Sequence, residues 1–183
     1  MTEVSTAQEL AEIVIRALAK GTVVEIDGLG VFYPDPAKGC RFEPRRPQIF
    51  IAYVEEDRGP AEWLCAALES QGFSPWMDIR KLMPGQNWPR AIEAAIETSD
   101  FFLACFSTRS VSKRGGFQAE IRYALDCARR IPLDDIFVVP VRLDCCRVPR
   151  AVQHELEYID LFPDWDRGLR KLVAALRRRT AAG

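Results

Sequence analysis

Hydrophobic and polar positions along this chain change period more than once. Leu10, Ile13, Val14, Ala17 and Leu18 recur at three- and four-residue spacing, which predicts a short helix, and Gly21 behind them is a stop signal. From Thr22 to Ile26 the pattern alternates, breaks at Asp27–Gly28, and resumes through Val31, Phe32 and Tyr33. That reads as two strands joined by a tight turn. Pro34, Pro36, Pro44 and Pro47 follow closely, a density that predicts a linker or irregular connection.

Beyond Gln48 the pattern becomes a strand–helix alternation. Ile49–Tyr53, Phe73–Met77, Phe101–Phe106 and Ile136–Leu143 are short, nearly continuous apolar runs, the mark of strands buried on both faces. Between them lie helical stripes at Pro60–Gln71, after Asn87 (a capping residue ahead of Ala91, Ile92, Ala95 and Ile96), and at Phe117–Arg129. A last amphipathic helix spans Gly168–Leu176. Such alternation with right-handed crossovers predicts a doubly wound parallel sheet. Ligands in such folds sit beyond the carboxyl ends of the strands, here Tyr53–Asp57, Asp78–Gln86 and Ser107–Gly116. The expected organisation is a helix-plus-hairpin appendage over residues 1–46 and an α/β domain over 47–179.

Composition narrows the function classes. The net charge is −1, so no basic field exists to hold nucleic acid or an anionic membrane. No apolar run approaches the roughly eighteen residues of a membrane span, and the acidic, polar start MTEVSTAQEL does not read as a signal peptide; a cytoplasmic location is expected. The six cysteines form no CxxC pair and the single histidine is His154, which argues against a zinc site and for free thiols. IAYVEEDRGP holds neither GxGxxG nor GxxxxGK, and GxSxG is absent, so dinucleotide-dehydrogenase, P-loop and α/β-hydrolase chemistries are disfavoured.

Five segments, in order, carry a resemblance: IFIAYVEED, WMDIRKLMPGQNW, AIEAAIETSDFFLACFS, STRSVSKRGGFQAEIRYAL and IFVVPVRLDCC. Together they resemble the Toll/interleukin-1 receptor (TIR) domain in its bacterial form, from about Gln48 to Leu176. The resemblance implies a flavodoxin-like fold. It implies NAD+ glycohydrolase activity, with nicotinamide release and possible cyclisation of ADP-ribose, NAD+ being substrate and no cofactor being needed. It also implies an immune effector or signal generator in defence against phage, active on assembly. The partner would be a second copy or another TIR-domain protein, met through the loop 78–87, where Pro84–Gly85 fixes the backbone. The alternative is a silent TIR–TIR adaptor. KGTVVEIDGLGVF is similar to the strand–turn–strand of HU/IHF-type histone-like modules, but its arm, YPDPAKGC, is short and nearly uncharged. Residues 1–46 carry six Lys/Arg against seven Asp/Glu, so nucleic-acid binding is not expected and a structural or assembly role is.

Glu120 matches the family's catalytic glutamate, early in the helix after the third strand. Nicotinamide leaves from a positively charged ring without a general acid, and the ribose gains oxocarbenium character. One fixed carboxylate stabilises that charge more in the transition state than in the ground state. Without the resemblance, a glutamate there simply favours the helix dipole. Asp78 either bonds the substrate ribose or starts a turn. Tyr53 and Phe117 are candidates for stacking on nicotinamide, against an ordinary core role, the stronger one for Phe117. Trp88 either shapes the 78–87 loop or makes a helix-entry contact. Ser107 is a hydrogen-bond donor to substrate or the end of a strand ladder. Lys113 and Arg114 would meet a pyrophosphate or remain solvated, and Asp57 reads as the cap before Pro60. Ala52 stands where the family usually has serine. Gly116 stands where it usually has an aromatic, with Phe117 one step later.

Overall fold

The computed structural model describes residues 3–77, 87–131, 136–154 and 156–180. The chain forms two compact units, Met1–Arg46 and Pro47–Gly183.

In the first unit, α1 (Glu3–Ala19) precedes three antiparallel strands, β1 (Val24–Ile26), β2 (Gly30–Asp35) and β3 (Gly39–Pro44), in that spatial order. The turn at Asp27–Gly28 closes with the Leu29 amide on the Ile26 carbonyl at 3.0 Å. The proline-rich stretch is not a linker: β2 runs through Pro34, which pairs with Cys40 of β3. β1 stops opposite Phe32 and Gly30, so β2 has an open side at Pro34, where a residue without an N–H is tolerated. Gly30 sits at φ 142°, and a Cβ there would lie 2.2 Å from the Glu43 carbonyl oxygen, so only glycine lets β3 approach. Of the expected stripe on α1, Val14 and Leu18 are buried, whereas Leu10 and Ile13 are exposed; three short strands cover only part of the helix.

The second unit is α/β and flavodoxin-like. Its elements are β4 (Gln48–Ala52), a 3-10 turn (Glu55–Asp57), α2 (Arg58–Ser70), β5 (Ser74–Trp76), α3 (Trp88–Glu97), β6 (Phe101–Phe106), α4 (Gly116–Ala128), β7 (Val138–Arg142), α5 (Arg150–Gln153), β8 (Ile159–Asp160) and α6 (Trp165–Thr180). The sheet is parallel throughout, ordered β5-β4-β6-β7-β8. Alternate residues divide it into two layers. Ile49, Ile51, Tyr53, Phe101, Leu103 and Cys105 pack with α2 and α6. Phe50, Ala52, Val54, Phe102, Ala104 and Phe106 pack with α3 and α4. Asn87 caps α3 through its side chain, which accepts from the Arg90 amide at 3.4 Å.

The pattern did not disclose β8, because two residues carry no period. A side-chain fork holds it: Arg142 Nε and Nη2 donate to the Asp160 carboxylate at 2.5 and 2.9 Å, with the guanidinium over the Tyr158 ring. α6 then crosses β8 at Gly168, where a Cβ would lie 2.5 Å from the Asp160 carbonyl oxygen and 2.6 Å from Leu161 Cα. Gly168→Ala should therefore lower the urea midpoint by the equivalent of about 1–3 kcal/mol, as overpacking does. Gly59→Ala, with nothing within 4 Å of its Cβ, is the matched control and should leave the midpoint in place.

Candidate functional site

β4 and β6 are the central pair, and the chain leaves them in opposite directions, toward β5 and toward β7. Their carboxyl ends thus flank the switch point where doubly wound folds bind ligands. A dense polar strut occupies it. Asp57 is 3% exposed and sits at the cap position of α2, yet its side chain makes no cap bond. It turns inward instead and accepts from the buried Ser107 hydroxyl, while Arg109 Nη1 lies 3.5 Å from its other oxygen. Ser107 Oγ in turn accepts from the Arg109 and Ser110 amides at 3.1 and 3.0 Å. Lys113 pairs with Glu56 and holds that carboxyl below its ordinary range. On the far side, the Thr108 amide and hydroxyl donate to Asp144 at 2.9 and 2.7 Å.

This strut fixes the loop that leads into α4. Buried polar groups are stable only when fully paired, and here the partners come from three loops, those after β4, β6 and β7. Asp57→Ala should cost about 1–3 kcal/mol of stability, because the Ser107 hydroxyl and Arg109 lose a buried acceptor. Amide exchange over residues 107–112 should accelerate with it, measured against wild type at the same pH. Burial, then the Asp57 charge, push the Cys105 thiol up to about 12, so it stays protonated and is no nucleophile at neutral pH.

Glu120 lies one turn into α4 on the wall of a pocket of about 240 Å³ between α3 and α4. Pro89, Ile92, Ile96 and Ala119 supply apolar walls, and Glu93 and Glu120 supply carboxylates. Among the described residues, a Cβ at Gly116 would meet only Glu120 Oε1, at 3.7 Å, so the missing side chain opens space beside the carboxylate. Tyr123 completes the lining; its hydroxyl donates to Glu97, and that bond, before burial, raises it to about 12. It remains a neutral donor at any pH the fold would meet.

The other candidates are distributed otherwise. Phe117 is buried and meets Phe106 edge-on with centroids 5.8 Å apart; it is a core side chain and does not replace the aromatic absent at Gly116. Tyr53 is buried in the layer of α2 and α6, on the opposite side of the sheet from the Glu120 pocket. Ser107 belongs to the strut with Asp57, and Lys113 is committed to Glu56. Trp88 opens α3. Asp78 and most of the 78–87 loop lie outside the described residues. Sequence reasoning missed Glu93 and Tyr123, which belong to two separate helices, and it assigned Asp57 only a capping role. Two acidic residues, Glu93 six positions after Asn87 and Glu120 four after Gly116, were the sole available signal.

The family model described as the TIR domain matches residues 49–173. This chain belongs to the TIR domain family. The chain is 28% identical over 148 residues to the uncharacterized protein y4cD of Sinorhizobium fredii, a match over 80% of this chain but 23% of that protein. It thus spans under a quarter of the length of that relative. Among solved structures, the TIR domain of the Toll-related receptor TRR-2 from Hydra magnipapillata is 26% identical with a TM-score of 0.56, over 70% of this chain and 97% of that one. The CMP N-glycosidase BcmB of Clostridium botulinum shares the fold at 17% identity and a TM-score of 0.52, over 70% of this chain and 98% of that one. The family match begins at residue 49, and none of these findings supports the histone-like reading of residues 1–46. No helix among the described residues is long and apolar enough to cross a membrane.

Proposed function

We propose that this TIR domain cleaves the bond between ribose and nicotinamide in NAD+, with Glu120 as its catalytic carboxylate. One observation carries the reading: the Glu120 carboxylate stands on the wall of a pocket, beside the space that Gly116 leaves open. The walls suit an aromatic ring, and among the described residues the pocket lining holds two carboxylates and no Lys or Arg. That electrostatic character favours the cationic nicotinamide end of the substrate over its pyrophosphate. Nicotinamide departs with the bonding electron pair and becomes neutral, so no proton need be supplied. Water then bonds to the anomeric carbon and loses a proton, giving ADP-ribose; attack by a hydroxyl of the same molecule gives a cyclic product instead. Glu120 stabilises the positive sugar between these steps.

A second reading is a TIR–TIR interaction module without catalysis. It is favoured by Gly116 and by the burial of Phe117, which leave Tyr123 as the sole aromatic in the pocket lining among the described residues. In either reading the partner is a second copy or another TIR-domain protein, met through the 78–87 loop. A role as an immune effector belongs to the first. Incubating the full chain at high concentration with NAD+, with and without a crowding agent, separates the two. Nicotinamide release, followed by chromatography with mass spectrometry of the ADP-ribose product, supports catalysis. No release under any assembly condition favours the interaction module.

A further inference from the structure

The Glu120 pocket holds a second carboxylate, and it comes from the other helix. On α3 the lining residues are Pro89, Ile92, Glu93 and Ile96; on α4 they are Gly116, Ala119, Glu120 and Tyr123. Both sets follow the spacing i, i+3, i+4, i+7, which is one face of a helix. Glu93 therefore holds the same place in its stripe as Glu120 holds in the other, and the two carboxylates flank the pocket from opposite walls. The next glutamate on α3, Glu97, is engaged by the Tyr123 hydroxyl. Glu93 is exposed, and among the described residues it forms no ion pair.

What a second carboxylate does there follows from the ring it meets, and this step rests on the NAD+ reading, in which Glu120 serves the ribose. The pyridinium ring then lies among Ile92, Ile96 and Ala119. The group on its carbon 3 must find a polar partner, because an amide buried without one is costly. Tyr123 has its hydroxyl proton on Glu97, so Glu93 is the acceptor that remains in the described lining. A carboxamide donates its N–H to that carboxylate, a charge-assisted bond. A carboxylate in the same place would set like charges together between apolar walls, where water screens them less. We propose that Glu93 is the specificity-determining residue of this site, accepting from the carboxamide of nicotinamide and rejecting nicotinate. The substrate class is then the nucleotides of a pyridinium carboxamide, with their acid counterparts excluded.

Two probes carry the same cationic ring and differ only in that group: 1-methylnicotinamide and 1-methylnicotinate. Their binding to the full chain, followed by ligand-observed NMR, requires no turnover. 1-Methylnicotinamide should bind about tenfold more tightly, and Glu93→Gln should bring the two together. The gap should close from both sides, because glutamine loses the charged acceptor and its own NH2 donates to the acid. A residue that only shaped the pocket would not strengthen binding of the acid. The ratio of kcat/KM for NAD+ to that for nicotinic acid adenine dinucleotide should change in the same way. Nicotinamide release with an amide-over-acid preference that Glu93→Gln leaves unchanged overturns the proposal and keeps the cleavage reading. A Glu93-dependent preference between the probes without any release sustains the proposal and removes the cleavage reading. A chain that binds neither probe and releases no nicotinamide overturns both.

Discussion

Glu120→Gln will suppress nicotinamide release from NAD+ by about three orders of magnitude, equivalent to roughly 4 kcal/mol of transition-state stabilisation. The substitution keeps the shape and hydrogen-bonding reach of the side chain and removes only its charge. The side chain is half-buried on a pocket wall and fills no core, so the fold should be unaffected, which circular dichroism checks. The loss should fall mainly on kcat, because the cationic sugar exists only on the way to products, whereas ground-state contacts with nicotinamide persist. Initial rates across a range of NAD+ concentrations separate the two parameters. A Gln variant as active as wild type would move the chemistry to another residue while leaving the family assignment intact.

Phe50→Ala should be the most damaging of the single core truncations considered, at about 3–5 kcal/mol. Phe50 is fully buried in β4, the strand that joins β5 to β6. Its ring stacks against Trp76 at 4.8 Å and against Phe102 at 5.3 Å, so three strands share one aromatic column. These rings are large and lie on a sheet held rigid by its ladder, so the layer cannot collapse into the vacated space. Native domains are stable by about 5–15 kcal/mol in all, so the variant should be partly unfolded at modest urea concentration. Urea unfolding followed by circular dichroism gives the midpoint. Phe50→Leu, which retains most of the volume, should lose distinctly less. Equal midpoints for Ala and wild type would mean that the column contributes nothing beyond what its neighbours recover.

The apolar runs at Ile49–Tyr53, Phe101–Phe106 and Ile136–Leu143 announced strands buried on both faces, and each became part of a parallel strand between two helical layers. The same rule hid the layer to which each side chain belongs. In a strand buried on both faces every residue is apolar, so Tyr53 and Ala52 look alike in sequence although they face opposite layers. Pro34 was misleading for a related reason. Proline disfavours a paired strand in general, but β1 ends before it, and that depends on the length of a different strand.

What the sequence alone determined is whatever depends on near neighbours: the alternation of strands and helices from β4 to β7, the cap at Asn87, the turn at Asp27–Gly28, and the placing of Glu120 early in a helix after a buried strand. Period, capping and turn chemistry act over a few residues, and there the chain states its own answer. Tertiary structure decided the rest. It turned Asp57 away from its cap toward Ser107, fifty positions on, and brought Glu93 of α3 beside Glu120 of α4. It also drew β8 into the sheet through Arg142 and Asp160. Each of these is a meeting of groups from separate elements, and the energy of a buried polar contact or a shared pocket depends on who arrives opposite, which no local pattern encodes.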